Sequence, residues 1–264
     1  MRQNRKKIDP VGFALPVLLL LGWYGMVEGG AIPSYLLPGP LSILQVMVDF
    51  ANGVGKLTPY SGKLIANLSA SLLRVIVGFA IAMAFGLLLG FLTGRIAVVK
   101  RILDPTVHAI RTVPGIGWLP IAMVWFGVGE GTTVFLIALA AFFPIYINTA
   151  HGASEVPVLL IRAGRMLGAD KVSLFQTVIL PSAFPSVVVG LRLGLGVSWA
   201  YLVLGELTGV TTGLGAVMMD SRMMGQVEMI LVSMVCIAIM GILTDRLLLR
   251  ICGWILPYPG GEVK

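Results

Sequence analysis

The residues of this chain best placed to do chemistry are a few ionisable side chains set within long apolar runs. Arg192 lies in GLRLGLGVSWAYLV, and Glu206 closes the same run. Fourteen residues is close to four helical turns, so on a helix the two share a face about 21 Å apart. They are too far apart to pair. Either both line one pathway, or Arg192 snorkels to headgroups about two turns away. Arg111, in RTVPGIGWLP, is a pathway cation or an interfacial anchor. Pro114, Gly115, Gly117 and Pro120 cannot all sit in one regular helix. In a membrane such backbone lines a cavity or is buried in protein, so 111–120 reads as a bend beside a pathway or as a packing kink. The candidate pathway residues are Arg111, Pro114, Trp118, Arg192, Trp199 and Glu206.

Catalytic groupings do not assemble. No GxxxxGK[ST] occurs, so the chain carries no P-loop of its own, and no GxSxG, HExxH or workable GxGxxG is found. Gly194-Leu195-Gly196 lies inside an apolar run and serves packing. Cys236 and Cys252 form no CxxC, and His108 and His151 lie in no ligand motif. The sequence therefore predicts no metal site, no disulfide framework and no enzyme active site.

The one long polar interruption in the second half is 151–185, HGASEVPVLLIRAGRMLGADKVSLFQTVILPSAFP. It holds Glu155, Arg162, Arg165, Asp170, Lys171 and Gln176 between two strongly apolar segments, 132–150 and 186–207. Its pattern predicts a helix, a break at Gly168-Ala169, a second helix and a stop at Leu180-Pro181. Such a structure between two spans suits docking better than mere connection.

The elements that position these residues follow from composition. The chain has 264 residues, 57% hydrophobic and 12% charged, with mean hydropathy +0.95. Soluble domains carry roughly 25% charged residues, so this is read as a single integral membrane domain, 1–264, with its core at 66–250. About six spans are expected: 11–27, 75–93, 102–127, 132–150, 186–207 and 228–249. The first runs on without a cleavage site and is expected to remain as an anchor, with Pro16 a candidate kink. Segment 41–50 reads as an amphipathic surface helix, and 208–227 as an outer loop or partly re-entrant helix. The glycines at 86, 90 and 94 share a helix face and predict close helix contact, within the chain in preference to a dimer seam.

The net charge of +7 does not point to nucleic acid, because the basic residues cluster between apolar runs. Six spans place Arg2, Arg5, Lys6, Lys7, Arg95, Lys100, Arg101, Arg162, Arg165, Lys171, Arg250 and Lys264 on one side. Only Lys56, Lys63, Arg74 and Arg222 fall clearly on the other. The positive-inside rule then puts both termini and 151–185 in the cytoplasm. Asp245 and Arg246 read as surface charges near the inner end of the sixth span.

With its topology placed, 151–185 resembles the cytoplasmic coupling loop of ABC-importer permeases, the EAA loop. Arg162-Ala163-Gly164 stand at the EAA position, Gly168 follows at the family spacing, and Val178, Leu180 and Pro181 fill the ending. LGA at 167–169 and GLRLGLGVSW at 190–199 agree, and PGIGWLPIAMVWFGVGEG with the Asp220–Arg222 segment resembles the nitrate, sulfonate, taurine and bicarbonate subfamily. Arg162 replaces the family's glutamate, so that residue's polar contacts are not carried over. The resemblance implies an all-α, polytopic helical bundle of the type I importer fold with a coupling-helix hairpin. It implies a bacterial inner-membrane protein working as a homodimer, with partner ATPase subunits that hold ATP and Mg²⁺ and an external binding protein delivering a small anion or zwitterion. Coupling to the ATPase falls on Arg162, Ala163, Gly164, Gly168, Ala169, Asp170, Leu180 and Pro181. Two other classes stay open. A secondary transporter needs midplane carboxylates and inverted repeats, neither of which is seen, and a channel needs a ring-forming filter.

Overall fold

The computed structural model describes residues 11–30, 32–33 and 35–256, with side chains undescribed at 11–14 and 16. The basic run at 2–7, the side chain of Pro16 and Lys264 lie outside the described residues, as do both termini. The helices are α1 (Val11–Glu28), α2 (Pro40–Asn52), α3 (Leu64–Arg95), α4 (Ala97–Arg111), α5 (Leu119–Phe126), α6 (Glu130–Ser154), α7 (Val158–Met166), α8 (Lys171–Leu174), α9 (Leu180–Glu206), α10 (Leu214–Met223) and α11 (Val227–Ile255). A 3₁₀ turn at Gly115–Trp118 precedes α5, and a π turn at Phe175–Ile179 joins α8 to α9.

The chain divides into two compact units. One gathers the described residues through Leu64 with Met219–Val232. In it α2 is amphipathic, burying Ile43, Val46, Asp49 and Phe50 on one face, as 41–50 predicts. Buried Asp49 ties down the following loop, accepting from Ser61 Oγ at 2.5 Å and from the Leu57 amide at 3.2 Å.

The second unit, Ile65–Met218 with the described residues from Ser233, holds the candidate sites. Its centre is α6, which packs between α3 and α9 through glycine seams. A Cβ at Gly78 would lie 2.6 Å from Ile137, at Gly86 2.8 Å from Ile145, and at Gly90 2.7 Å from Thr149. Residue numbers rise together along both helices, so α3 and α6 run parallel. The glycines of α3 therefore serve packing within the chain, as the sequence predicts. On the other side, Gly190 meets Asn148, Gly194 meets Ile145 and Gly205 meets Thr133, which makes α9 antiparallel to α6. Only glycine lets backbones approach this closely, and where lipid gives helices no hydrophobic drive to associate, close contact carries the packing.

Parallel neighbours joined through 96–129 require the chain to return across the bundle between them. The α4–α5 pair supplies that return, bent by 91° at the break. The bend expected at 111–120 is therefore present, but 102–127 is not one continuous span. Among the described residues four helices are long and apolar enough to cross a membrane, and five if the bent pair counts as one. The first expected span, 11–27, falls on α1, whose side chains are described only in part.

Two further boundaries differ from expectation. The second span begins at Leu64, not near 75, because the polar residues of 61–73 form a stripe on a helix. Asn67, Ser71 and Arg74 repeat at i, i+4 and i+7, and the same buried face continues through Gly78, Ala82, Gly86 and Gly90. Leu180-Pro181 does not stop the second hairpin helix: Lys171–Glu206 forms one 36-residue rod. Proline lacks an amide hydrogen and crowds the carbonyl four residues back. The π turn just ahead, where the Leu180 amide reaches back to Phe175 O, is wide enough to accommodate it. Within 208–227, read as an outer loop or a partly re-entrant helix, the chain forms the helix α10.

Candidate functional site

Three constellations stand out in the second unit. The first is a hairpin that projects beyond α6. It shares an end of the bundle with the close of α3, whose Arg95 Nη1 donates to Ala153 O at 3.3 Å. Its first helix, α7, ends in a Schellman cap: the Ala169 amide bonds Gly164 O at 3.1 Å and the Gly168 amide bonds Arg165 O at 3.0 Å. Gly168 adopts φ +83°, so the break at Gly168-Ala169 falls where the sequence predicts it, and for the expected reason. Asp170 then caps α8, its Oδ1 accepting from the Ser173 amide at 3.1 Å. At Gly164 a Cβ would lie 2.8 Å from Leu174 Cδ1, so the small residue lets α7 rest against α8.

The underside of the hairpin is a small core of Val156, Ile161, Leu174 and Ile179, anchored to α3 by an edge-to-face contact of Phe91 and Phe175 with centroids 5.2 Å apart. The tip is different. Met166 and Leu167 are 87% and 88% exposed. Sequence reasoning missed both, although two apolar residues directly ahead of a glycine turn in a polar helix were the available signal. Arg162 and Ala163 are also exposed, whereas Leu180 and Pro181 lie in the shaft of the long rod, away from the tip.

The second constellation is a buried polar network at the other end of α3 and α6. Arg74 is 2% exposed and Glu206 1%. Arg74 Nη1 donates to Glu206 Oε1 at 2.5 Å and to Thr212 O at 2.7 Å, while its Nε reaches Glu130 Oε2 at 2.7 Å. Glu206 also accepts from Ser71 Oγ at 2.8 Å and from the Gly215 amide at 2.8 Å. The Gly213 amide donates to Asn67 Oδ1 at 2.9 Å, and the Leu214 amide to Ser71 Oγ at 2.9 Å. The polar stripe of α3 thus fastens the start of α6, the end of α9 and the 207–214 loop. A side chain at Gly213, where φ is +134°, would collide with Glu206 and Arg74.

The third is a cleft of about 300 Å³ at the α4–α5 break. Arg111, Pro114 and Trp118 border it, facing Phe143 of α6 and Tyr201 of α9. Gly115 is required there, because a Cβ would strike the Tyr201 ring. Three of the six candidate pathway residues therefore come together.

The other three do not border this cleft. Arg192 forms a two-pronged ion pair with Asp245 of α11, Nε to Oδ1 at 2.8 Å and Nη2 to Oδ2 at 2.9 Å. The pair is partly exposed, so both residues stay near the surface of the bundle while holding each other. Trp199 is buried, and its indole N–H donates to Thr244 Oγ1 at 3.1 Å. Glu206 belongs to the buried network, and Arg74, expected outside, is its partner. His108 and His151, unrelated in sequence, both border a smaller cavity of about 160 Å³ with Lys100 and Asp104. Among the described residues no cluster has the makeup of a metal site.

A bundle of long apolar helices with a capped hairpin projecting at one end and a broken helix beside a central cleft defines a polytopic membrane transport subunit. Residues 82–257 match the family described as binding-protein-dependent transport system inner membrane component. The chain belongs to this family and is the transmembrane permease subunit of an ABC importer in the inner membrane. It is 34% identical over 253 residues to a Bacillus subtilis protein assigned to aliphatic sulfonates transport as permease SsuC, covering 94% of this chain and 89% of that one. It is 33% identical over 243 residues to the taurine transport system permease TauC of Escherichia coli K12, covering 92% and 87%. In fold it is similar to a chain of the MetNI methionine ABC transporter in an inward-facing conformation, with TM-score 0.57 and 22% identity over 70% of this chain and 94% of that one.

Proposed function

We propose that this permease imports a small sulfonate-like anion or zwitterion by alternating access, energised by a separate ATPase subunit seated on the α7–α8 hairpin. The observation that carries this reading is the hairpin tip. Met166 and Leu167 are almost wholly exposed on a rigidly capped turn, and no solvated hairpin gains from exposing them. A short projecting element of this kind fits a cleft on a partner. ATP and Mg²⁺ belong to that partner, because this chain carries no P-loop. Arg95, Lys100 and Arg101 share the hairpin's end of the bundle, and the positive-inside rule favours this end as cytoplasmic, with both termini on the same side. An external binding protein would deliver solute at the opposite end, where the Arg74 network fastens the loop before α10. The working assembly is a homodimer, because symmetric pairs are the commonest assembly. The substrate class comes from the sulfonate and taurine relatives.

Co-expression with the cognate ATPase subunit tests the docking. The wild-type chain is expected to retain the ATPase through affinity capture and size exclusion. Elution of the two subunits as separate species would overturn the coupling role.

A further inference from the structure

We propose that a groove between α3 and α11 holds one anionic phospholipid, with an acyl chain along the groove and the headgroup phosphate on Arg246 and Arg250. The groove lies wholly in the second unit and measures about 410 Å³. α3 supplies one wall from Leu72 to Met83 and α11 the other from Met240 to Ile251, with the buried Leu195 of α9 also bordering it. Its single polar side chain is Thr244, and that hydroxyl is already used. It donates to Met240 O at 2.7 Å and accepts from the Trp199 indole N–H at 3.1 Å. The groove thus offers nothing to a polar solute, and apolar cavities of this kind take apolar occupants. Ile76, Leu243 and Leu247 are each more than half exposed, so it opens sideways from the bundle, where hydrocarbon is the solvent. Its length fits one leaflet. Met240 and Ile251 stand eleven residues apart, as do Leu72 and Met83, which is about 16 Å of helix. The hydrocarbon core of a bilayer is about 30 Å thick, so one acyl layer spans about 15 Å.

The charges at one end choose the headgroup. α11 runs antiparallel to α9: Cys252 packs with Phe184 and Val187 near the start of α9, and Ile237 with Trp199 and Leu202 further along it. The Ile251 end of the groove is therefore the hairpin end, which the positive-inside rule favours as cytoplasmic. Arg246, Arg250 and Trp254 recur there at every fourth residue, so they lie along one side of α11. Arg250 adjoins Ile251, the last groove residue, and Trp254 is 92% exposed. Neither arginine has a carboxylate partner among the described residues, and the adjacent Asp245 is held by Arg192. Basic residues beside a membrane draw anionic lipids, and tryptophan settles at the headgroup level. An apolar trough as long as one acyl layer, ending at two uncompensated arginines and an exposed tryptophan, has the polarity of an anionic phospholipid from tail to head. A second copy of this chain is a poorer occupant. Two copies related by a two-fold axis along the membrane normal keep like ends together, so groove against groove would set the arginines of both at one level.

Native mass spectrometry of the purified full-length chain tests this, after exchange into micelles holding equimolar phosphatidylglycerol and phosphatidylcholine with identical acyl chains. One phosphatidylglycerol is expected to stay with each chain on release from the micelle, on the order of tenfold more often than phosphatidylcholine. Arg246→Gln combined with Arg250→Gln should bring the two lipids to within about twofold of each other while a lipid is still retained. Ala80→Trp, which fills the groove from the α3 side, should remove the retained lipid of either kind. Both arginines and Ala80 are exposed, so these variants are expected to fold. The proposal is overturned if wild type shows no preference for phosphatidylglycerol, if the double glutamine variant keeps that preference, or if Ala80→Trp retains lipid as wild type does. Should Ala80→Trp fail to fold, the lipid ratios of wild type and the glutamine variant decide alone. Absence of retained lipid together with a disulfide between copies through Leu243→Cys would assign the groove to a second copy and overturn the proposal as well.

Discussion

Replacing Met166 and Leu167 together with glutamate is expected to lower ATP-driven uptake at least tenfold while leaving the chain folded and inserted. The two side chains are 87% and 88% exposed, so they contribute little to the fold. Surface substitutions of this kind usually change stability by no more than about 0.5 kcal/mol. On a docked ATPase the same residues would be buried, and placing two charges in an apolar cleft costs several kcal/mol, enough for a tenfold loss at about 1.4 kcal/mol per decade. Gly168→Val provides an independent approach. At φ +83° a β-branched residue is strained by roughly 1–3 kcal/mol, and the tip would turn away while its surface chemistry stayed the same. Uptake into proteoliposomes and co-elution with the ATPase should fall together in both variants. Unchanged uptake in both would separate the hairpin from coupling.

Glu206→Ala is expected to destabilise the permease by about 3–5 kcal/mol, because it leaves Arg74 buried without its innermost counter-charge. Against a total stability on the order of 5–15 kcal/mol, that is read as a large drop in melting temperature in detergent and in yield of monodisperse protein. Arg74→Ala should cost a similar amount. The double replacement Arg74→Met with Glu206→Leu should cost less than the sum of the two alanine variants, because no lone charge remains. Glu130 provides the contrast. Its side chain is 67% exposed, and solvent screens its share of the pair, so Glu130→Gln should cost about 1 kcal/mol or less. A Glu206→Ala protein melting with wild type would show that the network holds nothing together.

The sequence alone carried the hairpin well, and the reason is local. Gly168, Ala169 and Asp170 act through backbone conformation and capping within a few residues, which spacing records. The bend at 111–120 was legible for the same reason, since proline and glycine act where they stand. The polar network was not legible. Ser71 and Arg74 meet Glu206 across more than 130 residues, and no spacing links that candidate pathway residue to them. Arg192 and Glu206 were linked by periodicity alone, but their partners, Asp245 and Arg74, decide their roles. Leu180-Pro181 misled because a proline was read as a stop, where the π turn ahead of it lets the helix continue. Met166 and Leu167 were passed over because their residue type alone does not tell whether a helix end faces the core or the outside.

The central claim is that this chain moves solute only when a partner burns ATP. Uptake should therefore be measured in proteoliposomes holding the permease, its ATPase and its binding protein, with all ion gradients collapsed by ionophores. Uptake is expected to require ATP on the hairpin side and to persist without any gradient. Uptake that continues without ATP, or that stops when the gradient is dissipated while ATP is present, would contradict it.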